Sequence, residues 1–298
     1  MTNLQGGIYS ASMSVLNNDL SLNADQTVLH AEKLILQGCK GAVLSGTTGM
    51  SAYLSIRDKM NLIERASKSS KNQSMIIGPG TNSLLDTVKL INFAKSKGLS
   101  KFLCQPCSYG WPGIKNKNEA IYLYFSELIK RTGPCEIILY NFPALVGVDF
   151  SVEIIEKLVK EKKDIFVGLK DSGSDDLYKK IKIENFKIFV GSEKKLLSSL
   201  EEGSSGLISA TVQFSEQIFL AKKVFEDFKK GEDSKHNEQL VKVRSVFDSF
   251  NLIEGLHTLY AQKNPIYKNT LPPLRLLNEK DKTKLFAELE KLNFNIAA

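Results

Sequence analysis

No stretch of this 298-residue chain approaches the roughly 20 apolar residues needed to cross a bilayer, which excludes a helical membrane span. The opening MTNLQGGIYSASM lacks the charged start and long apolar core of a secretory signal. Four cysteines in a chain this long are too few for a disulfide framework. A reducing, cytoplasmic setting is therefore expected. Histidine is scarce too: His30, His236 and His257 are the only three, and none is paired at metal-ligand spacing. Cys104 and Cys107 form CQPC, but zinc would need two further ligands. A thioredoxin-like pair needs its second cysteine to begin a helix, whereas SYGWPG follows here. Charge of one sign is never concentrated. The net +7 is spread along the chain, without the basic block and interleaved aromatics that nucleic acid requires. The EKDKTK cluster mixes signs and reads as a solvated helix face. A mildly basic protein of this kind favours small anionic substrates instead.

What the chain does have is a repeated alternation. Short apolar, β-branched runs recur at GIYSASM (7–13), GAVLSG (41–46), MIIGPG (75–80), KFLCQP (101–106), EIILYN (136–141), FVGLKD (166–171), FKIFVGS (186–192) and GLISA (206–210). Between them lie segments such as DQTVLHAEKLILQG and SVEIIEKLVKE, whose apolar residues recur three or four apart. Strands alternating with helices of that length make βαβ units and a parallel sheet. Eight such units predict an α/β fold, the (β/α)₈ barrel, whose usual size is about 250 residues. A doubly wound open sheet would place a glycine-rich loop after the first strand. SVLNNDLSLN follows instead, with no glycine. From about residue 214 onward the pattern is helical, which predicts a C-terminal helical extension over 226–298 packed beside a barrel over 1–225.

In barrels of this type chemistry gathers on the loops after the strands. Those ends bring together GTTG (46–49), YNFP (140–143) and KDSG (170–173). Lys170 closes a strand built for the interior, Tyr140 closes the strand beside it, and Thr47 and Thr48 sit in the loop after the second strand. Taken singly, a strand-end lysine is an ion-pair partner, a tyrosine is packing and GTTG is a capped turn. Together on one face they point to imine catalysis. A lysine amine attacks a ketone only when unprotonated, and burial favours that form. Carbinolamine formation and dehydration need a proton carrier, which a neighbouring phenol supplies. Backbone amides and two hydroxyls in the GTTG loop can hold a carboxylate without a metal.

GTTG, YNFP and the strand-end GLKD resemble the dihydrodipicolinate synthase / N-acetylneuraminate lyase family of class I pyruvate-dependent aldolases, and the resemblance runs through nearly the whole chain. It implies that Lys170 is the Schiff-base lysine and Tyr140 the proton-relaying tyrosine. It also implies that Thr47 and Thr48 bind the keto acid, with Thr48 in the relay as well. Ile208 matches the residue whose backbone approaches the pyruvyl group. Ser172, Gly191, Glu193 and Ser209 match positions that contact sugar hydroxyls in the lyases. The resemblance implies a 2-keto acid partner, no metal or other cofactor, and a homo-oligomer built as a dimer of dimers.

The departures bear on the subclass. In the synthases an arginine close after the YNxP asparagine binds the carboxylate of aspartate semialdehyde; here Ala144, Leu145 and Val146 occupy that stretch. The position after TTG, often glutamate, is Met50. QPCSYGWPG replaces the usual PYY run, so Tyr109 stands for the tyrosine that reaches the neighbouring subunit's site. YNFPALVG is most similar to the 2-keto-3-deoxy sugar-acid aldolases. The expected activity is reversible cleavage of such an acid, 2-keto-3-deoxygluconate for example, to pyruvate and an aldehyde. The alternatives are N-acetylneuraminate cleavage, condensation of pyruvate with aspartate semialdehyde, and a keto-acid-binding regulatory barrel without catalysis.

Overall fold

The eight apolar runs form β1 (Gly7–Ala11), β2 (Gly41–Leu44), β3 (Met75–Ile77), β4 (Lys101–Cys104), β5 (Glu136–Asn141), β6 (Phe166–Asp171), β7 (Lys187–Val190) and β8 (Gly206–Ser209). Each pairs in parallel with the next, and β8 closes onto β1 with Ile208 opposite Tyr9. The computed structural model describes residues 4–294. Residues 1–3, which open MTNLQGGIYSASM, and 295–298, which end the expected extension, lie outside it. The (β/α)₈ barrel expected from the alternation is the fold observed.

Two separate cores result from the alternation of side chains along each strand. Tyr9, Val43, Leu103, Ile138, Phe189 and Ile208 fill the barrel interior. Their sequence neighbours pack outward against the surrounding helices, as Ala42, Leu44, Ile137 and Leu207 do. Five of those helices are started the same way. Asn23, Ser55, Ser83, Asn116 and Ser151 each accept a hydrogen bond from the third residue on, opening the helices Ala24–Leu36, Ile56–Ser67, Leu84–Ser96, Lys117–Thr132 and Val152–Glu161. Each such cap stabilises by about 1 kcal/mol.

The regularity weakens after β6. Only Leu177–Lys180 follows it, and a single 3₁₀ turn with the short helix Leu196–Glu201 follows β7. Asp176, at φ +46°, makes no side-chain cap, and the Leu177 amide donates instead to Asp171 Oδ2 at 2.9 Å. The helix Ser215–Lys230 runs through residue 225 and stops at Gly231, whose φ of +74° is left-handed. Three further helices, Asn237–Phe247, Leu252–Lys263 and Glu279–Lys291, make up the expected helical tail. They share a third core with Met13 and Val15 after β1 and Phe214 after β8. The tail is thereby packed at the strand-end rim of the barrel. Among the described residues no helix is long and apolar enough to cross a membrane.

Candidate active site

The pairing of β5 with β6 sets Tyr140 directly opposite Lys170, and the pairing of β6 with β7 sets Lys170 opposite Phe189. Residues in register point to the same side of a sheet, so the lysine stands in the barrel mouth between two aromatic side chains. Its Nζ lies 4.3 Å from the centre of the Tyr140 ring. Lys170 is only 6 % exposed and Tyr140 3 %. The apolar surroundings come from neighbouring strands and in part from the run that precedes the lysine: Phe166 and Leu169 belong to the outer core, while Val167 joins Tyr140, Phe189 and Ile208 in the inner one.

Asp171 alternates to the other side and fixes the loop. Its carboxylate accepts from the amides of Gly173 (3.1 Å) and Leu177 (2.9 Å) and from Asn141 Nδ2 (3.1 Å). Burial pushes its carboxyl pKa up, against the donors that hold it. Asn141 in turn accepts from the Phe150 amide at 3.2 Å, and its carbonyl accepts from the Ser172 amide at 2.8 Å. The asparagine of YNFP and the aspartate of KDSG are thus one brace behind Tyr140 and Lys170.

The GTTG loop approaches from β2. It is flanked by two left-handed residues, Ser45 at φ +54° and Met50 at φ +58°, a conformation that costs about 1–3 kcal/mol outside glycine. Met50 is fully buried in the outer core, which explains an apolar residue there. Gly78 lets the turn sit close, since a Cβ there would meet the Ser45 carbonyl oxygen at 2.5 Å. Thr47 Oγ1 lies 3.1 Å from Tyr140 Oη. The hydroxyl in contact with the tyrosine is therefore that of Thr47, in the place expected for Thr48; Thr48 is buried beside it at 5 % exposure.

A cavity of about 670 Å³ opens over these groups. Thr47, Thr48, Tyr140, Lys170, Ser172 and Gly191 line it, as expected from the sequence. At Gly191 a Cβ would collide with Ser172 Oγ, so the bare backbone makes room for the serine. Ile208, Glu193 and Ser209 are completely buried and stand outside the lining. Tyr109 lies away from the cavity, 84 % exposed. Leu145 does line it, in the stretch where the synthases carry arginine.

Glu193 is occupied by protein donors: Ser209 Oγ at 2.8 Å, Arg244 Nη1 at 2.8 Å and Thr211 Oγ1. Arg244 Nη1 also reaches Ser209 Oγ at 3.1 Å, while its Nε donates to Asp248 Oδ1 at 2.7 Å. Burial opposes ionisation of Asp248, but Arg244 and Lys194 outweigh it and hold its carboxyl below the usual range. Glu193 and Ser209 therefore act on the cavity through Arg244, which lines it.

Arg244, Lys195 and Lys59 are lining residues that sequence reasoning missed. Arg244 and Lys59 lie inside helices remote from the strand-end motifs, and Lys195 lies in the turn after β7, two residues past Glu193; in the sequence each looks like ordinary helix surface. Lys59 is 3 % exposed and donates to the Gly80 carbonyl at 2.6 Å. Burial pushes its pKa down to about 8, partly offset by Asp86. The charged lining is thus four cations, with Lys170, and the single carboxylate of Asp171.

The CQPC pair has no place in this chemistry. Both cysteines are free, and burial pushes the Cys104 thiol well up, the opposite of what a redox thiolate needs. Among the described residues no three His, Cys, Asp or Glu side chains converge to hold a metal ion.

Residues 4–292 match the model of the dihydrodipicolinate synthetase family. The chain is 27% identical over 299 residues to a 4-hydroxy-tetrahydrodipicolinate synthase of Methanopyrus kandleri, covering 96% of each. The structure of YagE, a prophage protein of the dihydrodipicolinic acid synthase family from E. coli in complex with pyruvate, superposes with a TM-score of 0.86 at 22% identity, covering 98% of this chain and 100% of that one. A sialic acid aldolase from Ruminococcus gnavus, in a catalytic-lysine mutant, gives 0.85 at 18%, covering 98% of each chain. At those identities the two structures establish a shared fold. With the family model spanning nearly the whole chain and the lysine, tyrosine and threonine motifs meeting in one cavity, this protein belongs to the dihydrodipicolinate synthetase family of class I pyruvate-dependent lyases.

Proposed function

We propose that this protein reversibly cleaves a 2-keto-3-deoxy sugar acid, such as 2-keto-3-deoxygluconate, to pyruvate and an aldehyde through a Schiff base on Lys170. The observation that supports it is the buried Lys170 ammonium over the Tyr140 ring, with the Tyr140 hydroxyl tied to Thr47. The neutral amine adds to the C2 ketone, and loss of water gives the imine. The protonated imine draws the electron pair of the C3–C4 bond as the C4 hydroxyl gives up its proton and the aldehyde leaves. The resulting enamine takes a proton at C3, and hydrolysis returns pyruvate and the free amine. Tyr140 passes the protons, with Thr47 orienting its hydroxyl. Thr48 and the GTTG backbone hold the carboxylate, and the Ile208 backbone borders the pyruvyl group. Ser172 faces the hydroxylated end beside Gly191, backed by Glu193 and Ser209.

The imine supplies the electron sink that a class II aldolase takes from a metal, so activity should persist in EDTA. Leu145 cannot supply the charge-assisted pair that arginine gives, worth roughly 1.5–3 kcal/mol. Cleavage of the sugar acid should therefore exceed condensation with aspartate semialdehyde by at least about tenfold in kcat/KM. The exposure of Tyr109 suits a residue covered by a neighbouring subunit in a dimer of dimers. The test is pyruvate release from 2-keto-3-deoxygluconate and N-acetylneuraminate, set against condensation of pyruvate with aspartate semialdehyde. Efficient condensation without sugar-acid cleavage would overturn the subclass, and pyruvate binding without turnover of any of them would leave a regulatory barrel.

A further inference from the structure

On the far side of the cavity, beyond Lys170, stands a guanidinium held ready for a partner. Arg244 is 9 % exposed, and its side chain is fixed on two edges. Nη1 is taken by Glu193, Ser209 and, at 3.5 Å, the Gly191 carbonyl, and Nε by Asp248. Among the described residues its Nη2 donates to no protein group, yet the residue lines the cavity. Its anchors place it against the ends of β7 and β8, one and two strands round the rim from Lys170.

If Arg244 served only to neutralise Glu193, no open edge in the cavity would be needed. Glu193 already accepts from two hydroxyls, and Asp248 is shared with Lys194 at 2.7 Å. Neither of those carboxylates lines the cavity, whereas Arg244 and Lys195 both do. Lys195 is itself set in place by the Gly173 carbonyl at 3.0 Å and Asp176 at 2.6 Å. A ligand reaching this wall meets donors and positive charge first. A pre-aligned guanidinium with a free amine matches a planar carboxylate or a phosphate much better than it matches a lone hydroxyl.

We propose that Arg244 is a specificity-determining residue that binds an anionic group at the far end of the substrate, on the aldehyde fragment, so that the preferred 2-keto-3-deoxy acid carries a second negative charge there. The proposal rests on the Schiff-base reading above and narrows its substrate class, with 2-keto-3-deoxygluconate giving way as preferred substrate to an acid charged at its far end. A carboxylate and a phosphate share the chemistry that Arg244 recognises, and the substrates tested distinguish them.

The test compares three six-carbon 2-keto-3-deoxy acids that differ at C6: the hydroxymethyl form, the carboxylate form and the 6-phosphate. In the wild-type protein one of the two anionic forms should exceed the hydroxymethyl form by at least about tenfold in kcat/KM, the scale of one charge-assisted hydrogen bond. Arg244→Gln should shrink that gap to below about threefold, chiefly through KM, and Arg244→Lys should fall between. Equal or better turnover of the hydroxymethyl form by the wild-type protein overturns the proposal, whether or not the variants fold. Borohydride labelling of Lys170 with pyruvate, measured alongside, separates the two layers. Labelling without a preference for charge removes only the role of Arg244, whereas no labelling removes the Schiff-base reading and the proposal together.

Discussion

The two walls of the cavity are built by different means. On the β2–β5–β6 side the groups stand at strand ends or within three residues of one: Thr47, Tyr140 and Lys170. Strand register alone brings the last two together. On the β7–β8 side Lys195 stands in the turn after β7, but the guanidinium comes from a helix of the C-terminal tail, and Arg244 meets Glu193 across 51 positions of sequence. The first wall is a short-range consequence of barrel geometry, and the second is a docking contact between barrel and tail. That difference teaches where each kind of property should reside. Chemistry belongs to the wall that pairing fixes. Substrate choice and cohesion of the tail belong to the wall that docking fixes.

The sharpest way to break this division is Lys170→Ala. Removing the amine should lower kcat by at least about a thousandfold, roughly 4 kcal/mol of barrier, with little loss in the melting temperature. Activity within tenfold of wild type would refute a nucleophilic role. Tyr140→Phe keeps the ring under the ammonium and removes only the hydroxyl that meets Thr47. Loss of a proton-transfer group should cost about 10²–10⁴ in kcat with KM nearly unchanged. A change confined to KM would mean that Tyr140 only shapes the cavity.

On the opposite wall the expected pattern reverses. Arg244→Met leaves Glu193 fully buried without its cation, and breaking a buried pair on one side costs about 3–5 kcal/mol of stability. Adding Glu193→Gln should recover a substantial part of that loss in urea unfolding. If the double variant is no more stable than the single one, the pair is not what joins tail to barrel.

The smallest effect concerns Lys59, whose folded pKa of about 8 lies below the ordinary lysine value of 10.5. Between those values the unfolded chain binds more protons than the folded one, so this residue makes stability rise with pH from about 8 to 10.5. Lys59→Met should therefore stabilise the protein at pH 7 by about 1–2 kcal/mol, after allowing for the lost hydrogen bond, and should flatten that rise. Gly80 keeps its bond from Ser51 Oγ at 3.2 Å. Unfolding free energies of both proteins at pH 7 and pH 10 check the slope; an unchanged slope contradicts the assignment.

The barrel was legible because short, mostly apolar runs alternate eight times with segments whose apolar residues recur three or four apart. Lys170, Tyr140, Thr47 and Thr48 were legible for a related reason, since a polar residue closing a buried strand in a barrel falls on one rim. Arg244, Lys195 and Lys59 were not, because nothing in a helical charge pattern says which side chain will face a cavity assembled from other elements. Glu193 and Ser209 were identified as positions, but their burial behind Arg244 depends on how the tail docks, which no local motif encodes. The same holds for the hydroxyl beside Tyr140: Thr47 and Thr48 are adjacent, and only the turn set by Ser45 and Met50 decides which one meets Tyr140.

The most direct test of the central claim is reductive trapping. Pyruvate with borohydride should inactivate the wild-type protein irreversibly and add one reduced pyruvyl mass to the peptide containing Lys170. The Lys170→Ala protein should take up none. Labelling at Lys59 or Lys195, or loss of activity without any covalent adduct, would contradict the assignment of Lys170 as the Schiff-base residue.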